Sequence, residues 1–265
     1  MSTTELPVPP AEALADDHQF AAWAATVAGE RLTEVRAEGL EGKELKDAGD
    51  QAAHDLLVAL LAEHRPGDAV LSEEGKDDKV RLTSDRVWIV DPLDGTREFS
   101  EPPRDDWAVH VALWARTGDD TGGLVAGAVA QPGLGTTFHT GQPPVVPERT
   151  APRPRIAVSR SRPPAFVQAL AEEIGAELVP MGSAGAKVIS VARDVSDAYV
   201  HAGGQYEWDS AAPVAVARAA GLFTSRVDGT PLVYNQDDVW LPDLIVCRPD
   251  LADAIVEFVR THGTD

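Results

Sequence analysis

Glu73, Asp91, Asp94 and Asp209 are the residues of this chain whose types and spacing point most directly to chemistry. Asp91 and Asp94 stand in the stretch Trp88-Ile89-Val90-Asp91-Pro92-Leu93-Asp94-Gly95-Thr96, where an apolar run delivers two carboxylates and a hydroxyl into a tight loop. Pro92 fixes the backbone between the acids, and Gly95 lets the chain turn sharply enough to return Thr96 beside them. Carboxylates this close repel one another unless a cation sits between them, and hard divalent ions such as Mg²⁺ select all-oxygen ligand sets. Taken by itself the stretch also fits an Asp-rich turn that caps a strand. Two further segments favour the metal. Residues 69–72 read as a short strand ending in Glu73-Glu74-Gly75, and Glu207-Trp208-Asp209-Ser210-Ala211-Ala212 puts an acid at the start of an Ala-rich helix. Four carboxylates at the ends of strands and helices, where open α/β sheets collect ligands, suit two or more Mg²⁺ ions better than one structural Ca²⁺. The seven histidines show no ligand spacing; His110 on a strand, and His54 and His64 on a helix, read as packing or solvent-facing residues.

The elements that must position these acids can be read from periodicity. Asp16 or Asp17 can cap a helix to about residue 38, with Phe20, Trp23 and Val27 in its apolar stripe and Gly39 at its end. A second helix is expected over 50–64, with Ala53, Leu56, Leu57, Leu60 and Leu61 at helical spacing and Asp50 as its N-cap or as a functional acid. Strands are expected near 69–72, 86–91, 107–114 and 124–130, the last two joined by a turn at 119–123. The Pro-rich stretch 141–154 marks the best boundary between halves. Beyond it, strands are expected at 155–159, 176–181, 198–201 and 244–247, and helices at 164–174, 183–192, 209–220 and 251–262. Alternating strands and helices imply a layered α/β sandwich. Its expected parts are a mobile arm over 1–15, an N-terminal half over 16–150 with the main metal loop, and a C-terminal half over 151–265 with Asp209.

Composition sets bounds on function. The 265 residues suffice for a sizeable core, and 43 acidic against 23 basic residues give a formal charge of −20. That excludes a nucleic-acid footprint and disfavours an anionic membrane surface. Anionic substrates gain nothing from the net field, so bound metals and a few local cations must attract them. Cys247 is the only cysteine, which rules out an intrachain disulfide and Cys-based metal sites. Residues 1–17 lack a cationic segment followed by an apolar run, and no later stretch is long and charge-free enough to span a bilayer, so a cytoplasmic location is expected.

Glu73-Glu74, Asp91 through Thr96, and Trp208 through Ala212, in this order and spacing, resemble the signature of the inositol monophosphatase superfamily of Mg²⁺-dependent, lithium-sensitive phosphatases. The resemblance covers the chain from the first helix to the last. Within that superfamily Thr96-Arg97-Glu98-Phe99 resembles the Thr-(Lys/Arg)-Glu-Phe of CysQ-type 3′(2′),5′-bisphosphate nucleotidases, where inositol monophosphatases proper carry Thr-Asn-Phe. The resemblance implies alternating helix and sheet layers of the inositol monophosphatase and fructose-1,6-bisphosphatase type. It further implies hydrolysis of the 3′-phosphate of adenosine 3′,5′-bisphosphate, with 3′-phosphoadenylyl sulfate as a further substrate, in sulfur metabolism. An inositol or sugar phosphatase, including fructose-1,6-bisphosphatase activity, is the alternative. A non-catalytic phospho-ligand binding protein is a distant third, since no metal carboxylate is missing. The expected partner is the small phosphorylated substrate, with no nucleic-acid polymer and no membrane, and a homodimer is compatible with the reading.

The same resemblance implies roles. A first metal would contact Glu73, Asp91 and the Leu93 carbonyl, and a second Asp91, Asp94 and Asp209, with about two or three Mg²⁺ ions in all and Li⁺ as inhibitor. Thr96, hydrogen-bonded to Asp50, would orient the attacking water, with Glu73 beside it; Asp47 stands where the family carries Thr ahead of Asp50. Toward the substrate the implied residues are Asp94, Gly95, Thr96 and Arg97 of the loop, and Asp209. Ser159 and Arg160 of Ser159-Arg160-Ser161-Arg162 join them, with Ser183 and Lys187 of the Gly-Ser-x-x-x-Lys element. That element begins a helix, whose N–H groups favour anions. Pro213 stands where the superfamily carries Gly, and a position in the first helical turn would make its missing N–H harmless.

Overall fold

The computed structural model describes residues 6–118, 122–161 and 163–264. Most of the expected 119–123 turn and Arg162 lie outside the described residues. Two five-stranded sheets carry the fold. The first contains β1 (Ala69–Ser72), β2 (Arg86–Asp94), β3 (Ala108–Ala115), β4 (Gly123–Gln131) and β5 (Thr136–His139) in sequence order, with β1 parallel to β2 and the rest antiparallel. The second contains β6 (Arg155–Ser159), β7 (Glu177–Met181), β8 (Ala198–Tyr206), β9 (Phe223–Ser225) and β10 (Trp240–Cys247) in the order β7-β6-β8-β10-β9. The loop between the sheets falls on the Pro-rich stretch, where a missing N–H forbids a ladder.

Helices cover both sheets, in a five-layer stack. α2 (Asp17–Ala37) and α3 (Gly42–His64) bury Phe20, Leu32, Leu57 and Leu60 against Trp88, Val90 and Val111 of the first sheet. α6 (Ala184–Ala192) and α7 (Glu207–Ala219) form the middle layer, where Ile189, Ala211 and Val214 meet Ile89 and Ala112 on one side and Tyr199 and Leu244 on the other. α5 (Ala165–Ile174) and α8 (Ala252–His262) close the outer face of the second sheet around Phe166, Leu170, Ile255 and Phe258. Each fully buried side chain of this size contributes roughly 1.5–3 kcal/mol. Because α7 packs on β2, β3 and β4 as well as on its own sheet, Asp209 reaches the metal loop of the other half. No helix among the described residues is long and apolar enough to cross a membrane.

Several expectations need correction. An arm was expected over 1–15, but α1 (Ala11–Ala15) packs on α2, buries Ala13, and offers its Ala13 carbonyl to Arg65 at 3.1 Å. α3 starts at Gly42, eight positions before Asp50. Asp50 is therefore mid-helix and caps nothing; the added turns bury Leu45 and pair Lys43 with Asp47 one turn apart. Asp47, in the family's Thr position, spends its carboxylate on that exposed pair. Pro213 lies in the second turn of α7, not the first, so it removes the N–H that would meet the Asp209 carbonyl. The strands β5 and β9, four and three residues long, were too short to show a period.

Candidate active site

A bulge in β2 explains how two acids three residues apart come to one face. Asp91 pairs with His110 and Asp94 with Ala108, so three steps along β2 match two along β3. Without the extra residue the alternation of a strand would send Asp91 and Asp94 to opposite faces. Gly95 follows with a φ of 87°, a left-handed conformation that only glycine adopts without strain, and starts the single turn α4 (Thr96–Phe99). From the C-terminal half, α7 brings Asp209 in its first turn.

Oxygens of Asp91, Asp94 and Asp209 lie within 4.8 Å of one another. Asp91 accepts from the Leu93 N–H at 3.0 Å through Oδ1, while its Oδ2 is buried without a hydrogen-bond partner among the described residues. Asp94 is fully engaged: Oδ2 accepts from the Ser183 hydroxyl at 2.5 Å and the Gly185 N–H at 2.6 Å, and Oδ1 from the Ala184 N–H at 3.1 Å. The α6 N-terminus expected to hold a substrate anion thus holds Asp94. Asp209 accepts from the Tyr206 N–H at 2.6 Å through Oδ2. Glu73 stands at the rim of the trio, next to Asp91, and its backbone N–H is bonded to Val90.

Electrostatics mark the same residues. Burial and the charges of Glu73, Asp94 and Asp209 hold Asp91 well above the usual carboxylate range. Burial and the neighbouring acids Asp209, Glu74 and Asp94 raise Glu73 to about 7, and burial with Asp94 raises Asp209 to about 6. Asp94 goes the other way, to about 2: burial would raise it, but His110, Ser183 and Gly185 prevail. A trio of acids with an orphaned buried oxygen fits a hard divalent cation, which supplies the missing charge. Glu73, Asp91 and Asp209 hold protons in the metal-free fold that the unfolded chain releases near pH 4. Stability from these groups is complete below that pH, and the parts from Asp209 and Glu73 are lost as pH rises through about 6 and 7 respectively. Asp94 contributes oppositely, but only below about pH 4. The melting temperature of EDTA-treated protein should therefore fall between pH 5 and 8, and the gain on adding Mg²⁺ should widen over the same range. Scanning calorimetry with and without Mg²⁺ tests this; a metal-free melting temperature that rises toward pH 8 would contradict it.

The Thr96 hydroxyl lies 3.1 Å from the Leu93 carbonyl and 3.4 Å from Asp50 Oδ1. Asp50 is raised to about 6 by burial and by Glu74, against the Thr96 contact. Asp94, Asp209, Ser159, Ser183 and Lys187 line one cavity of about 520 Å³, which continues past Ser161 and Pro164 to His201, Gly203 and Gly204. Lys187 is buried, its Nζ donating to the Ser183 carbonyl at 2.7 Å and the Gly182 carbonyl at 3.2 Å over the Tyr199 ring, and burial lowers its pKa. Arg97 and Arg160 are placed elsewhere: Arg97 pairs with Glu101 at 3.1 Å, and Arg160 with Glu98 and Glu101 at 2.9 Å each. Neither lines the cavity.

One residue at the centre was not expected there. His110 is fully buried, with Nδ1 donating to the Trp208 carbonyl at 3.1 Å and Nε2 3.2 Å from Asp94 Oδ2. Burial would lower its pKa, but Asp94 outweighs that and raises it. The only signal in the sequence was a polar residue within the apolar run Ala108-Val109-His110-Val111-Ala112.

The chain matches the family described as "Inositol monophosphatase family" over residues 14–263. It is 49% identical over 256 residues to a Mycobacterium leprae protein named 3′-phosphoadenosine 5′-phosphate phosphatase, covering 92% of this chain and 93% of that protein. It is 30% identical over 205 residues to the Escherichia coli 3′(2′),5′-bisphosphate nucleotidase CysQ, covering 73% and 81% of the two chains. The crystal structure of CysQ from Bacteroides thetaiotaomicron matches with a TM-score of 0.72 at 29% identity, covering 86% of this chain and 96% of that one.

Proposed function

We propose that this chain, which belongs to the inositol monophosphatase family, is a Mg²⁺-dependent phosphatase that removes the 3′-phosphate of adenosine 3′,5′-bisphosphate, with 3′-phosphoadenylyl sulfate as a further substrate. One observation carries the reading: a single cavity joins the acidic centre at Asp94 and Asp209 to the buried cation Lys187 and the serines 159 and 161. A ligand with an ester phosphate at the acidic end and a second anionic group near Lys187 meets both. The name of the Mycobacterium leprae relative points the same way.

Asp91, Asp94 and Asp209, with Glu73 and the Leu93 carbonyl beside them, would hold the metal. When bound it offsets the charge of the substrate phosphate, acidifies the attacking water and stabilises the leaving alkoxide. The protein's own groups supply position and proton traffic. Asp94 cannot swing, because three donors from α6 and its cap fix both oxygens. Thr96 has one hydroxyl proton to share between Leu93 and Asp50. A proton passed along this pair comes to rest on Asp50, whose pKa of about 6 suits acceptance and release near neutrality.

An inositol or sugar phosphatase, fructose-1,6-bisphosphatase activity included, is the second reading, favoured by the engagement of Arg97 and Arg160 with glutamates, which thins the cationic side of the site. Phosphate release from adenosine 3′,5′-bisphosphate, inositol 1-phosphate and fructose 1,6-bisphosphate separates the readings. We expect the highest kcat/KM on the nucleotide, none in excess EDTA, and inhibition by Li⁺. Turnover undiminished by EDTA would refute the metal mechanism, and preference for the other two would reassign the substrate.

A further inference from the structure

We propose that His110 is a positioning residue that sets the separation between Asp94 and Asp209, the acids contributed by the two halves of the molecule. The imidazole spans both. Its Nδ1 donates to the Trp208 carbonyl, one residue before Asp209, and its Nε2 stands at ion-pair distance from Asp94 Oδ2, off the line of a straight hydrogen bond. Nδ1 must carry a hydrogen, because a carbonyl only accepts. That bond fixes the ring's orientation, and with it the place of Nε2, as the bond to one imidazole nitrogen generally does for the other.

Two features argue against a space-filling role. On β3, the residues facing the middle layer beside His110 are Ala108 and Ala112, so an apolar residue would suit this face without a buried polar ring to satisfy. Opposite, α6 carries Gly185, where a Cβ would come within 2.0 Å of Nε2; the helix leaves room for this ring. His110 thus rests on a central strand and touches the metal loop, the start of α7 and the start of α6. Asp94 is already tied to α6 by three hydrogen bonds and Asp209 stands at the start of α7; His110 adds a direct link between the loop of Asp94 and the residue before Asp209, with Nδ1 also 3.8 Å from Asp91 Oδ2.

The inference rests on the proposed metal centre, so the test measures metal and not turnover alone. Mg²⁺ binding is followed by titration calorimetry without substrate, on the full chain and on three variants. His110→Leu fills the space without a donor. His110→Gln places an amide near the Nε2 position and keeps the contact to Asp94; His110→Asn places one near Nδ1 and keeps the contact to Trp208. Partners that orient metal ligands are generally worth about 10–100-fold in metal affinity. We expect the Leu variant to lose affinity in that range, Gln to recover most of it, and Asn to fall between them. Affinity within twofold of the unaltered protein in all folded variants, or equal weakening by Leu and Gln, would overturn the proposal. If the Leu variant does not fold, the Gln and Asn variants decide, and equal affinities overturn it. Absence of Mg²⁺ binding by the unaltered protein would instead refute the metal centre itself.

Discussion

Asp91→Asn is expected to lower kcat/KM by about 10³-fold or more, while leaving the metal-free protein at least as stable as before. The loss follows from where Asp91 sits. It is buried, its Oδ2 makes no hydrogen bond among the described residues and lies 3.8 Å from His110 Nδ1, and its neighbours are the acids Glu73, Asp94 and Asp209. An amide keeps the Leu93 contact through its oxygen but has no charge to offer a cation. Metal stabilisation of a developing charge is worth several kcal/mol, and about 4 kcal/mol corresponds to 10³ in rate. The gain in stability follows from the same crowding: Asn replaces an acid whose ionised form burial and three neighbouring acids disfavour, so folding no longer requires it to take up a proton. Asp50→Asn should lose less, on the order of 10²-fold, the low end for a positioned proton acceptor. Its 3.4 Å approach to Thr96 places it one residue removed from the metal acids. Steady-state kinetics with melting curves test the pair. Equal losses for the two variants would mean that their roles are misassigned, and a destabilised Asp91→Asn protein would make Asp91 a structural acid.

These acids were legible in the sequence because their positions are local facts. A strand run, a proline and a glycine sit within nine residues of one another, and the Glu73 and Asp209 segments each carry their own strand or helix cue. The bulge that turns Asp91 and Asp94 to one face was not legible, since it is defined by the partner strand. Contacts across the two halves were hidden for the same reason. Nothing near Arg160 in the sequence announces Glu98 and Glu101, and nothing near Ser183 announces that Asp94 takes the N–H groups of its helix. His110 looked like a packing residue because its partners, Asp94 and Trp208, lie 16 and 98 positions away. Helix limits failed where propensity is weak: Gly42 to Gly49 holds few apolar residues, and packing of Leu45, Ala48 and Gly49 against the core extends α3 through it. The layered α/β class was readable from alternation alone, which needs no knowledge of which strand pairs with which.

The cations separate along the same line, and their substitution should too. Lys187→Met is expected to raise KM for adenosine 3′,5′-bisphosphate by about ten- to a hundredfold, with a much smaller effect on a simple monophosphate. Lys187 lines the cavity that begins at Asp94 and Asp209, and two of its three N–H donors are spent on the carbonyls of residues 182 and 183. The third remains for a ligand. A charge-assisted contact contributes roughly 1.5–3 kcal/mol, which is the stated range in affinity. Met keeps the length and much of the apolar stem, while the charge of the Nζ that lies 5.2 Å over the Tyr199 ring is lost. Arg97→Ala and Arg160→Ala should behave differently. Both guanidinium groups are paired with carboxylates outside the cavity, so neither change should shift the preference between bisphosphate and monophosphate by more than about threefold. Measuring kcat/KM for both substrates in each variant gives the answer. If Lys187→Met weakens both substrates equally, the lysine only braces the loop that fixes Asp94, and recognition of the second anionic group lies elsewhere in the cavity. If Arg160→Ala alone changes the preference, its pair with Glu98 and Glu101 must open when substrate arrives, and the selectivity belongs to the arginine.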